Sequence, residues 1–162
     1  MTVLVKNTQR FLPIPKTLKR DLEKLLTLAR FPDWDLGVHL AGNRYIRHLN
    51  NRYRNKAKPT DILSFPFTTV FSVFFFNALS PGILPHPETP DFRNLGDLVI
   101  SVEYVKHWCK KHDQKFQKRL PVLCVHGICH LLGYDHETDV EWEEMKLREE
   151  EILDRFWAWK YN

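Results

Sequence analysis

The chain has 162 residues, of which 43% are apolar and 27% are charged, a composition typical of a globular protein. This length predicts a single domain over 1–162 that can bury a hydrophobic core. Lysines and arginines outnumber acidic residues by 24 to 20, and the pI of about 9.0 suits a polyanionic partner. No stretch approaches the roughly 18 apolar residues of a membrane span, so no membrane partner is expected.

The cysteines and the N-terminus bear on the compartment. Cys109, Cys124 and Cys129 are odd in number and form no C-x-x-C pair, which favours a reducing compartment over a disulfide framework. The first twenty residues carry five basic residues and no acidic one, as in a mitochondrial presequence. Because residues 2–6 are predicted to form a strand, we expect any targeting signal here to remain uncleaved.

The first part of the chain alternates between β-rich runs and amphipathic segments. A strand over 2–6 precedes a helix over 18–29, for which Thr17 is the predicted N-cap. Leucines recur on one face of this helix, which predicts that it packs on the core. A second helix, capped by Asn43, follows a strand over Asp35–Ala41.

Two strands in the middle of the chain, over 61–65 and Asn94–Ser101, are joined without a helix. Their connection includes the apolar run 70–76, V-F-S-V-F-F-F, and then four prolines. The run could be an extra strand, a surface that binds a partner, or an unusual spliced segment. If it is exposed, such a run favours aggregation.

Three helices are predicted in the last part of the chain. They lie over 102–112, within 114–132, and from Thr138 or Asp139 to about Trp159. The glutamates of the last helix are predicted to form a mostly solvated face: Glu141, Glu143, Glu144, Glu149, Glu150 and Glu151. Together the elements predict an α+β fold, in which helices cover a four-stranded mixed sheet mainly on one side.

The stretch 125–137, V-H-G-I-C-H-L-L-G-Y-D-H-E, sets three histidines in the spacing H-x3-H-x5-H. Histidines four residues apart on a helix share one face, with Cβ atoms about 6 Å apart. The glycine that follows can end the helix with φ > 0, so the chain can return the third histidine to the same point. Three imidazoles without a fourth protein ligand are typical of catalytic zinc. The pattern predicts one Zn²⁺ per chain, or another transition metal, held by His126, His130 and His136.

The same spacing occurs in the metzincin proteases, whose motif is H-E-x-x-H-x-x-G-x-x-H. Gly127 stands where those enzymes carry the glutamate that acts as general base. The metal ligands are therefore present without the proton acceptor, which points away from peptide hydrolysis. Cys129 is an alternative ligand, but its sequence neighbours favour a position in the core.

Three blocks of the chain resemble the YbeY family, the metal-dependent endoribonucleases of ribosomal RNA maturation. They are H-G-I-C-H-L-L-G-Y-D-H over 126–136, Y-R-N-K-A-K-P-T-D-I-L-S-F-P-F over 53–67, and N-L-G-D-L-V-I-S over Asn94–Ser101. Cys129 replaces a leucine of many bacterial members, as in the animal members. The resemblance fails chiefly over 67–93, where the relatives have a shorter and more polar or acidic connection.

The resemblance implies a single-strand-specific endoribonuclease that acts in ribosomal RNA processing and small-subunit maturation. The implied partners are single-stranded or ribosomal RNA, the small ribosomal subunit and a platform ribosomal protein, and no DNA is expected. The family's catalytic arginine maps onto Arg54, whose guanidinium suits bidentate donation to phosphate. His126 is the second catalytic candidate. The likeness to animal members favours mitochondria, with the cytoplasm and the nucleus as alternatives.

Two other functions remain open at this point. A non-catalytic zinc protein that assists ribosome assembly would need the same metal site, and a metalloprotease would share its histidine spacing. Asp97 is a candidate partner for a metal-bound histidine, or else an aspartate at the end of a strand. The arginines of the second helix, taken alone, indicate a solvated face. The sequence assigns no general base.

Overall fold

The structure, a computed structural model, describes residues 2–67, 80–84 and 93–162. Its strands are β1, Val3–Asn7; β2, Asp35–Ala41; β3, Ile62–Pro66; and β4, Asn94–Ser101. They form a four-stranded sheet in the order β1-β2-β4-β3, in which β1, β2 and β4 are parallel and β3 is antiparallel to β4. The predicted mixed sheet is therefore confirmed.

The described part of the chain contains five helices. They are α1, Leu18–Leu28; α2, Asn43–Arg54; α3, Val102–Lys111; α4, Phe116–Leu131; and α5, Asp139–Tyr161. α4 lies within the predicted range 114–132, and Pro121 lies inside the helix. None of the helices in the described ranges combines the length and the apolar character that crossing a bilayer requires.

The two faces of the sheet are covered unequally. Alternate strand residues such as Val38, Leu98 and Ile100 belong to a large core with α1, α3, α4 and α5. The residues between them, such as Val99, form a smaller core with Ile46 of α2. Helices therefore cover the sheet mainly on one side, as predicted, and α2 packs on the face opposite to α4.

Thr17 is the N-cap residue of α1, as predicted, but its side chain makes no capping hydrogen bond, and the predicted cap of α2 is wrong. Thr17 has helical dihedral angles, and its hydroxyl donates to Asp21 Oδ2 at 3.0 Å instead of accepting from the backbone. Gly42, rather than Asn43, is the N-cap of α2. Glu103 Oε2 accepts a hydrogen bond from the Asn43 N–H at 2.9 Å. The acceptor for this backbone N–H is therefore a carboxylate sixty positions away in the sequence. Capping rules consider only neighbouring residues, so they do not predict such a partner.

Residues 80–84, in the connection between β3 and β4, contact the body of the protein. The Gly82 N–H donates to the Leu132 carbonyl at 2.9 Å, and Leu84 packs against the large core. The apolar run 70–76 lies outside the described residues.

Candidate metal centre

The end of α4 is built to reverse the chain beside two of the histidines. Gly133 has φ +88°, and its N–H donates to the His130 carbonyl at 3.0 Å. The Tyr134 N–H donates to the Cys129 carbonyl, also at 3.0 Å. These two bonds define a Schellman motif, in which glycine is preferred because φ is positive. The predicted turn at Gly133 is confirmed, and it brings His136 back towards α4.

The three predicted histidines lie together. One nitrogen from each of His126, His130 and His136 lies within 4.8 Å of the other two. The Nε2 atoms of His126 and His130 are 3.2 Å apart. Two ligands of one tetrahedral zinc, each at about 2.0–2.1 Å, are separated by about 3.3 Å. The spacing of the donor atoms therefore fits a single metal ion.

Hydrogen bonds of the other ring nitrogens define how these imidazoles point. His126 Nδ1 lies 2.8 Å from Glu149 Oε1, and His130 Nδ1 lies 3.0 Å from the Tyr134 carbonyl oxygen. Because a carboxylate and a carbonyl accept hydrogen bonds, both Nδ1 atoms must donate. In the neutral rings both Nε2 atoms then carry lone pairs, which face one another. Such lone pairs repel unless a cation lies between them, so this arrangement also fits a metal ion.

The lowered pKa of His130 also favours metal binding. Burial, and then the neighbouring charges of His126 and His136, lower the pKa of His130 below its usual range. A lowered pKa keeps the imidazole neutral at neutral pH, and only the neutral ring can bind a metal through Nε2.

Glu149 is the residue of this site that the sequence analysis missed. It was assigned to the solvated face of α5, but its side chain is only 23% exposed and contacts His126. Its position carried a signal, since it lies four residues after buried Met145 and three before buried Ile152. An acidic residue within the apolar stripe of a helix needs a partner, and here that partner is His126.

Asp97 does not fill the role considered for it. Its side chain lies beside Gly37 of β2, where an added Cβ would come within 1.9 Å of Asp97 Oδ1. In β4 it alternates with Leu98, which faces the core that contains α4. Asp97 therefore points to the sheet face opposite to the histidine helix, and Glu149 provides the carboxylate.

Gly127 lies at a close contact between α4 and the sheet. A Cβ at this position would lie 2.7 Å from a methyl group of Leu98 and 2.8 Å from one of Ile62. A glutamate side chain at position 127 would have to enter the contact between α4 and the sheet. Position 127 therefore faces the sheet, and the chain carries glycine where a metzincin protease carries its catalytic glutamate.

Cys129 lies in the core, as its neighbours predicted. It is fully buried, and burial raises the pKa of its thiol to about 12, with a further contribution from the Glu149 charge. The thiol is therefore protonated at neutral pH, whereas a cysteine binds metal as the thiolate. The histidines remain the metal ligands that the geometry favours.

Arg54 is not joined to the histidines by any hydrogen bond or ion pair within the described ranges. It is the last residue of α2 and is exposed. α2 and α4 pack on opposite faces of the sheet, so Arg54 and the histidines are carried by helices on different sides of it. The catalytic role of Arg54 stays a prediction.

The chain is similar to known proteins of one family. The family model described as Endoribonuclease YbeY matches residues 4–157. The chain is 37% identical to an endoribonuclease YbeY of Homo sapiens over 155 residues, which cover 95% of this chain and 87% of the relative. It is also 37% identical over 130 residues to the Borreliella burgdorferi protein of the same name, covering 80% and 78% of the two chains.

A solved structure supports the fold. The solution structure of a Thermotoga maritima protein superposes with a TM-score of 0.55 and 23% sequence identity, covering 97% of this chain and 93% of the other. The family model and the identity to these relatives lead to one conclusion: the chain belongs to the YbeY endoribonuclease family.

Proposed function

We propose that this protein is a metal-dependent endoribonuclease that cleaves single-stranded RNA during ribosomal RNA processing and small-subunit maturation. The observation that carries the proposal is the pair of Nε2 atoms 3.2 Å apart, with a hydrogen-bond acceptor at each Nδ1. Membership of the family supports RNA as the substrate.

In this proposal each residue of the site has a separate role. His126, His130 and His136 hold the metal, and Glu149 orients the His126 ring. The metal, when bound, supplies a Lewis acid that polarises a phosphate oxygen. Arg54 would donate two hydrogen bonds to the non-bridging oxygens, where charge develops in the transition state. This role requires that Arg54 reach the scissile phosphate when the RNA is bound.

The finer assignments belong to the same proposal. We assign one Zn²⁺ per chain, because three histidines form a typical catalytic zinc site. The small ribosomal subunit and a platform ribosomal protein are the proposed partners. Mitochondria are the proposed compartment, on the basis of the basic, acid-free N-terminus and the likeness to the human relative. A fusion to a fluorescent protein at the C-terminus tests this, and wholly cytosolic fluorescence would reject it.

The activity can be tested on defined substrates. Zinc-loaded protein should cleave an end-labelled single-stranded RNA at internal positions. It should cleave neither the same RNA sequence in a duplex nor casein. His130→Ala, with only two histidine ligands left, is the matched negative control. Metal binding without cleavage of any RNA would favour the non-catalytic assembly factor, and cleavage of casein would favour a protease.

A further inference from the structure

α2 and the residues that flank it form a long basic segment that contains no acidic residue. Between Asp35 and Asp61 the chain has no acidic residue, yet it has six lysines and arginines. They are all exposed: Arg44, Arg47, Arg52, Arg54, Lys56 and Lys58. Elsewhere, cations such as Lys146 and Arg155 on α5 face glutamates. Among the described residues, no ion pair involves a cation of α2.

Part of this side forms a shallow hollow. Its lining consists of Arg44, Arg47, His48 and Asn51 from successive turns of α2, together with Ala57 from the loop that follows. Residues three and four apart share one face of a helix, so these four side chains point in the same direction. We call these five residues the α2 basic surface.

The loop beside the hollow is held in place by a buried amide. Asn50 is only 2% exposed, and its Nδ2 donates to the Lys58 carbonyl at 2.8 Å. The Lys56 N–H donates to the Asn50 carbonyl at 3.3 Å, and Asn55 ends the helix with φ +54°. The loop therefore has a defined conformation against α2, so less ordering entropy would be lost on binding.

α2 also carries two exposed tyrosines. Tyr45 and Tyr53 are 45% and 59% exposed, and each packs edge-on against one neighbour, His39 or Phe65. Neither ring lines the hollow, but exposed aromatic rings on the same helix as basic side chains can stack with bases while the cations contact phosphates, as on surfaces that bind single-stranded nucleic acid. An acidic protein would use the cations without needing the rings.

We propose that the α2 basic surface is a second RNA-binding site, which holds the phosphate backbone of a single strand away from the metal centre. It lies on the sheet face opposite to α4, so it is separate from the histidine cluster. This inference rests on the proposed RNA substrate. It assigns to α2 the contacts that retain a long strand, whereas the metal centre contacts the phosphate to be cut.

The test compares two double variants of metal-stripped protein. Binding of a fluorescently labelled oligouridylate is followed by anisotropy between roughly 50 and 200 mM salt. Each phosphate contact on a single strand contributes about 0.7 to the slope of log K against log salt concentration, so Arg44→Ala/Arg47→Ala should reduce the slope by about 1.4. Lys146→Ala/Arg155→Ala removes the same charge from cations that face glutamates and should leave the slope unchanged.

The outcomes separate this inference from the proposed function. Equal slopes for the two double variants would overturn the inference, even if the protein cleaves RNA. A reduced slope only for Arg44→Ala/Arg47→Ala, in a protein that cleaves no RNA, would support the inference and reject the enzyme. Polyglutamate that competes with the oligouridylate as strongly as unlabelled oligouridylate would show a general acidic-partner surface and would also overturn it.

Discussion

Replacing Glu149 by alanine tests how the metal centre is held together. The carboxylate lies 2.8 Å from His126 Nδ1 and fixes the tautomer that leaves Nε2 free for the metal. Losing such a partner typically costs about 10- to 100-fold in metal affinity, or about 1.4–2.7 kcal/mol. The two side chains are 23% and 32% exposed, so water can partly replace the carboxylate. We therefore expect a loss in the lower half of that range, about 10- to 30-fold.

The affinity is measured by competition with a chromophoric chelator at neutral pH, on protein first stripped of metal. Glu149→Gln keeps an oxygen acceptor but loses the charge, so its affinity should lie between those of the wild type and Glu149→Ala. Glu150→Gln, at the next and exposed position, is the control and should bind metal normally. If folded Glu149→Ala binds metal as tightly as the wild type, the reasoning about His126 orientation is refuted.

Three other substitutions and modifications have defined outcomes. Arg54→Ala should lower the rate of RNA cleavage about 100-fold or more without changing the zinc content, whereas Arg20→Ala should leave the rate unchanged. If both variants lose the same activity, and both losses disappear at low salt, Arg54 contributes only to the general positive charge of the surface. Gly127→Ala should destabilise the protein by up to about 2 kcal/mol in chemical denaturation, because an overpacking cost of about 1–3 kcal/mol is offset by a gain of about 1 kcal/mol in helix propensity; a variant more stable than the wild type would contradict the tight contact with the sheet. Burial raises the pKa of both Cys124 and Cys129 to about 12, so a thiol reagent at pH 8 should label them only after unfolding; rapid native labelling would place them at the surface.

Local patterns in the sequence were sufficient to predict most of the fold and the proximity of the three histidines. Strand alternation and helical periodicity depend on a few neighbouring residues, and they predicted the mixed sheet and the helices that cover one side. The three histidines and Gly133 lie within eleven residues, so helix geometry and one glycine turn predicted that they meet.

Contacts between distant segments were the part that the sequence did not reveal. Glu149 is 23 residues from His126, and Glu103 is 60 residues from Asn43. Such partners depend on how α5 crosses α4 and how α3 crosses α2, which no local pattern determines. The role considered for Asp97, as partner of a metal-bound histidine, was not found for a related reason. The sheet face on which Asp97 lies depends on the packing of Leu98 against α4.

The central claim is that RNA cleavage requires one metal ion at the histidine cluster. The most direct measurement is to titrate Zn²⁺ into metal-stripped protein while following both bound metal and cleavage of a labelled single-stranded RNA. Activity should rise in proportion to bound zinc and stop rising at one ion per chain, and His130→Ala should show neither binding nor cleavage. Full cleavage by metal-stripped protein or by His130→Ala would contradict the claim.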